Sequence, residues 1–179
     1  MTAADHDDDI AHRADKLYAA RSALAETEPS PRRLGVAEIL QFLNDPQRSL
    51  SMEEQRALFA DARLRADYRR LKSQVAIAEL PALAAASAGE VNSRRFDGGT
   101  VSIHPSRVQG QIYVILRFSW PTPPRIMLLE DTGGDLVKRS LPPADANGEV
   151  MMVLDEKKTS DAAFLRMIRD PTSTGSFLS

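Results

Sequence analysis

The side chains able to do chemistry are few in this 179-residue chain, and their spacing is poor. It has three histidines, His6, His12 and His104, and no cysteine. Without cysteine there is no disulfide, no sulfur nucleophile and no thiolate metal site. Asp5-His6-Asp7-Asp8-Asp9 carries metal-ligand types, but it lies in an acidic stretch with nothing to bury, and a metal site needs ligands fixed by their neighbours. Asp131-Thr132-Gly133 has the letters of an aspartic protease motif, whose chemistry needs two carboxylates sharing a proton. Here Glu130 breaks the apolar run before the aspartate and Gly133-Gly134 follow it, so the segment reads as a hairpin turn. Gly98-Gly99 and Gly133-Gly134 are isolated pairs and not a phosphate-binding loop. A serine–histidine–acid site would have to recruit His104, and no serine sits in a nucleophile-elbow pattern. Pro121 to Arg125 can be written as a Pro-x-x-Pro ligand, yet beside Trp120 and a strong strand it reads as a rigid loop. The expectation is a protein that is not an enzyme, with no catalytic residue, cofactor or metal.

Charge narrows the partners further. The segments before and after the Glu90–Val91 bond carry 12 basic against 15 acidic residues, and 11 against 10. Neither has the basic excess that neutralising a phosphate backbone requires, so direct nucleic-acid binding is not expected. The acidic, polar first ten residues lack the features of a signal peptide. The apolar stretch 76–88 is broken by Glu79, Pro81 and Ser87, so it cannot span a bilayer, and a cytoplasmic protein without membrane contact is expected.

The elements that must position any site change period once along the chain. Residues 1–9 read as a disordered acidic tail. Ile10, Ala14, Leu17, Arg21 and Leu24 alternate steps of four and three, predicting a helix over 9–27 that Pro29 and Pro31 stop. Val36, Ile39, Leu40 and Leu43 share a face over 35–44, with Phe42 at its edge, before Asn44-Asp45-Pro46. Ser51-Met52-Glu53-Glu54 has the form of a capping box, and the helix it starts carries Leu58 and Phe59. Asp61 either caps a fresh helix or lies inside a continuous one. Beyond it Leu64, Tyr68, Leu71, Val75 and Ala78 form a narrow seam that continues to Pro81.

After residue 91 the apolar period becomes two. Strands are predicted at 100–104, 112–118, 126–129, 136–141 and 150–154, with Asp97-Gly98-Gly99 and Asp131 to Asp135 as turns. One or two helical turns follow at 162–168, and 176–178 reads as a last edge strand. The predicted fold class is α+β: an N-terminal bundle of three to four helices, then a small antiparallel β-sandwich or barrel-like domain. The predicted boundaries are a tail at 1–9, helices over 10–80, a linker at 81–91 and the β-rich part at 92–179.

The segment from Ile39 to Ala78 is the most specific part of the chain. A short apolar helix, Leu50-Ser51-Met52-Glu53-Glu54, a helix ending at Asp61, and Leu64-Arg65-Ala66-Asp67-Tyr68 follow one another. This resembles the N-terminal domain of bacterial anti-sigma factors that sequester extracytoplasmic-function sigma factors. The resemblance covers about residues 36–80 and implies the metal-free type, because the zinc-binding subset needs cysteine. It implies a regulatory protein whose helices occlude a sigma factor. The alternative is a non-enzymatic adaptor or accessory protein of a multi-gene system, whose β part docks a partner. Leu40, Phe42, Leu43, Leu58, Phe59, Leu64, Tyr68, Leu71 and Val75 are the candidate contacts, and each is either interface or ordinary core. Oligomeric state and the signal sensed do not follow from the sequence.

Overall fold

A computed structural model describes residues 34–83 and 91–179. The described residues belong to one compact unit, Leu34–Ser179. The tail expected at 1–9, the helix expected at 9–27 and most of the expected linker lie outside the described residues.

The described unit is a mixed α+β structure with two four-stranded antiparallel sheets. It starts with three helices, α1 (Val36–Asn44), α2 (Met52–Ala60) and α3 (Ala62–Val75). Each helix start has a local cause. Glu38 turns back to accept the Gly35 amide at 3.0 Å. Ser51 Oγ accepts from the Glu54 amide and the Glu54 carboxylate accepts from the Ser51 amide, so the expected capping box is present. Asp61 ends α2 and caps α3, its carboxylate accepting the Arg63 amide at 2.7 Å, so the two are separate helices.

At Val75 the chain departs from the helical seam that the spacing predicts as far as Pro81. Residues Ala76–Leu80 form strand β1, which follows α3 with no loop between. The cause is a partner 97 residues away: β1 pairs antiparallel with β8 (Thr174–Leu178), Glu79 opposite Ser176 and Leu80 opposite Gly175. Tertiary pairing overrides a helical period that the local sequence supports. The other strands are β2 (Ser93–Phe96), β3 (Gly99–Pro105), β4 (Gln111–Phe118), β5 (Ile126–Glu130), β6 (Leu136–Ser140) and β7 (Glu149–Asp155), and a fourth helix, α4 (Thr159–Arg169), precedes β8. Strands β3 to β8 match the expected ones to within a few residues, whereas β2, paired with β3 through the Asp97-Gly98-Gly99 turn, has no counterpart among the expected strands. Sheet 1 has the order β1-β8-β5-β6 and sheet 2 the order β2-β3-β4-β7.

Two hydrophobic clusters explain the layering. The larger joins Leu80, Met127, Leu129 and Phe177 of sheet 1 to Val101, Ile103, Val114, Leu116, Val150 and Met152 of sheet 2, with Phe164, Leu165, Met167 and Ile168 of α4. Phe96, Phe118, Trp120 and Phe177 meet within it, with the Phe96 and Phe177 ring centroids 4.5 Å apart. The expected Asp97-Gly98-Gly99 turn closes β2 onto β3 beneath this group. Gly98 takes φ +88°, and a Cβ there would fall 2.3 Å from the Trp120 ring, so the glycine pair is structural.

The second cluster lies on the opposite face of sheet 1. Ile126, Leu128, Leu136 and Leu178 point there and pack against Ile39, Phe42, Leu43, Leu50, Leu58, Tyr68 and Leu71. The three helices therefore share a core with β5, β6 and β8. The boundary expected over 81–91 does not separate two cores, because β1 of the helical segment completes sheet 1 and the helices cover that sheet.

Candidate protein-docking surface

The nine expected contact residues fall almost wholly into the core between helices and sheet. Phe42, Leu43, Leu58, Tyr68 and Leu71 are buried. Phe59, Leu64 and Val75 are partly buried and pack against the same cluster. Phe59 lies over the β5–β6 turn, where a Cβ on Gly134 would stand 3.0 Å from its ring. Leu40 alone is exposed. The physical reason is sheet 1: its second face is apolar, and the helical seam is what covers it. In this packing five of the nine positions are buried against sheet 1, three are half-buried at its margin and one is exposed.

Polar side chains fasten the same interface. Lys72 Nζ meets Glu130 Oε2 at 3.2 Å, and Tyr68 Oη stands 3.4 Å from the same oxygen, tying α3 to the end of β5. Burial, then the Glu130 carboxylate, pushes the Tyr68 phenol well up. Lys138 on β6 donates to the Phe42 and Asp45 carbonyls and lies 4.5 Å from the Phe42 ring centroid. Its ammonium caps the C-terminus of α1, where helix carbonyls lack partners. Burial pushes this lysine down to about 8, assisted by Arg48 and opposed by Asp45. A cleft of about 540 Å³ beside it is lined by Arg48, Gln55, Arg139, Lys158 and Asp161 among others. Arg48 is paired with Glu54 and Arg139 with Asp161, so these cations already have partners.

Arg94 is the largest buried polar side chain and a feature the sequence does not announce. It is 2% exposed and donates to the carbonyl oxygens of Pro81 at 2.7 Å and Ser173 at 2.6 Å, and to Ser173 Oγ at 3.1 Å. Its only legible signal is an alternation of Arg94 and Phe96 on the buried face of β2. The role is structural, since the guanidinium joins the ends of β1, β2 and β8.

His104, the one histidine among the described residues, stands on β3 opposite Tyr113. Asp131 forms the turn expected of it, accepting the Asp135 amide at 2.9 Å. Among the described residues no group of three or more acidic, histidine or cysteine side chains is placed to hold a metal ion. No described helix is long and apolar enough to cross a membrane.

What stands open is the outer face of sheet 2. Tyr113 lies opposite Val153, and Ile115 opposite Met151, on adjacent strands. Neither Tyr113 nor Ile115 belongs to a core cluster, and Met151 and Val153 are 56% and 51% exposed. Arg117 and Glu149, joined at 2.8 Å, border one end of these four and His104 the side toward β3. Such a contiguous apolar group with a polar rim is the usual composition of a protein-binding patch. No described element covers it. The sequence shows these side chains only as the polar-facing half of two strand alternations, and it does not tell which half meets a second layer.

No family model, no curated protein and no solved structure matches this chain.

Proposed function

We propose that the chain is a non-enzymatic protein-binding protein of the adaptor type, in which the outer face of sheet 2 docks a protein partner. The observation that carries this reading is the contiguous quartet on β4 and β7 of exposed Met151 and Val153 beside half-buried Tyr113 and Ile115. The inner face of sheet 2 packs against sheet 1 and α4, and the far face of sheet 1 packs against the three helices. Among the described residues Glu54 and Asp61 serve helix caps, Asp131 a turn, and Arg139 and Asp161 an ion pair, which supports binding over catalysis.

The sigma-sequestering reading keeps one specific support. Val36 and Leu40 stand one turn apart on α1 and are exposed, as is Met52 at the start of α2. In that reading these three, rather than the buried seam, make first contact with the sigma factor, and further contact requires the helices to leave sheet 1.

Two double substitutions separate the readings. Both change exposed side chains, so folding stability should move by no more than about 0.5 kcal/mol. Met151→Glu with Val153→Glu should abolish co-purification of the partner from the native host, and Leu40→Glu with Met52→Glu should leave it intact. The reverse pattern, with the sigma factor encoded nearest the gene as the protein lost, would replace the adaptor reading by the anti-sigma one.

A further inference from the structure

The edge of sheet 2 carries an inference independent of the partner just proposed, because it rests on backbone groups and not on the apolar face. β7 is the last strand of its sheet. The Phe118 amide donates to the Gly148 carbonyl and the Glu156 amide to the Gly110 carbonyl. With the β4–β7 register this makes 150, 152 and 154 the residues bonded to β4, so Glu149, Met151, Val153 and Asp155 turn their amides and carbonyls outward.

The chain closes that edge at both ends. At one end the Glu149 carbonyl accepts from the Asp145 amide, and the Glu149 amide donates to Asp145 Oδ1, both at 2.8 Å. At the other the Asp155 amide donates to Asp161 Oδ2 at 3.1 Å, and the Asp155 carbonyl accepts from the Lys158 amide at 3.0 Å. What remains is the amide and the carbonyl of Met151 and of Val153. Unpaired edge groups beside apolar side chains, with no proline or lysine in the strand, are a template for strand addition.

We infer that β7 pairs antiparallel with β7 of a second copy of this chain about a two-fold axis at Met152. In that register Met151 of one copy lies opposite Val153 of the other, and each such pair exchanges two hydrogen bonds. The four open groups of one edge are then satisfied by the four of its mate, with none left over. The outer faces run on into one another, Met151 beside the mate's Val153, and double the apolar patch. Glu149 comes to stand opposite the mate's Asp155, whose backbone groups are already satisfied, so the ladder stops there. The two carboxylates repel, although Arg117 holds Glu149 and the Lys157 amide holds Asp155. Association should therefore strengthen as salt screens them, the opposite of ion-pair-driven pairing.

The absence of native cysteine makes the register directly testable in the full-length protein. Met151→Cys and Val153→Cys chains are prepared separately, each with a different mass tag, and oxidised alone and as an equal mixture. The expected result is a disulfide-linked dimer in the mixture that joins position 151 of one copy to position 153 of the other. It should be at least tenfold more abundant than the homodimer of either variant alone. Sedimentation of the unmodified protein should show a concentration-dependent monomer–dimer equilibrium shifted toward dimer between 0.05 and 0.5 M salt (about 14 and 4 Å of screening length). A monomer at every concentration, or cross-linking that does not favour the mixed pair, overturns the inference. Neither measurement involves another protein, so failure here leaves the docking reading untouched, and loss of the docking partner leaves this one untouched.

Discussion

Arg94 joins three strand ends through the Pro81 and Ser173 carbonyls and the Ser173 hydroxyl. Replacing it with methionine keeps much of its volume and leaves both carbonyls without that donor. The expected cost is about 2–3 kcal/mol, read by denaturant unfolding, and lysine should not restore it because one ammonium cannot span the same acceptors. Lys138 behaves differently. Its folded-state pKa is pushed down to about 8, against 10.5 for an ordinary lysine. Between those values the unfolded chain holds a proton that the folded chain has released, so stability rises with pH across that interval. Lys138→Met should remove the rise. Unfolding at pH 8 and pH 10 should show the wild type gaining relative to the variant, and parallel pH dependence of the two would contradict the assignment.

Among the elements, α2 is the one most dependent on its cap. Nine residues are too few for a helix to persist on propensity alone, and Leu58 is its only fully buried side chain. Ser51→Ala removes the acceptor for the Glu54 amide and should cost about 1 kcal/mol, with faster hydrogen exchange confined to the amides of 52–60. This helix start is fully legible in the sequence, because a capping box is a local pattern. The Asp61 cap is half legible: the residue type marks a cap, but whether the helix continues depends on how α2 and α3 pack. β1 is not legible. Val75 and Ala78 continue a helical spacing, and only pairing with β8 near the other end of the chain decides the conformation of 76–80. The outward face of β7 is visible as an alternation, yet which half of the alternation is buried is a property of the second layer.

At the scale of the molecule, the helical seam and the sheet are two halves of one core. The sequence shows amphipathic helices and alternating strands, and each is an unsatisfied apolar face that seeks a cover. It does not say that they cover one another, which is why the sequence leaves Phe42, Leu43, Leu58, Tyr68 and Leu71 open to an interface role beside a core one. The shared core has a direct consequence for truncation. Residues 91–179 alone would lose β1 from the edge of sheet 1 and expose Ile126, Leu128, Leu136 and Leu178 together. That fragment should be aggregation-prone and lack a cooperative unfolding transition, whereas 34–179 should unfold in a single step. A soluble, cooperatively folded 91–179 would show that the helices are dispensable to the β layers.

The docking reading makes one claim that can be tested without knowing the partner's name. A photoreactive amino acid placed at Met151, at Leu40 or at Leu43 of the full chain reports what lies within a few ångströms of each position in the native host. The account predicts one discrete adduct to a different protein at position 151, distinguished by mass from the adduct to a second copy of this chain and lost when Val153→Glu is added, and none at 40 or 43. Adducts at 40 and 43 with none at 151 would contradict it, because they would place the partner on helices lifted off sheet 1.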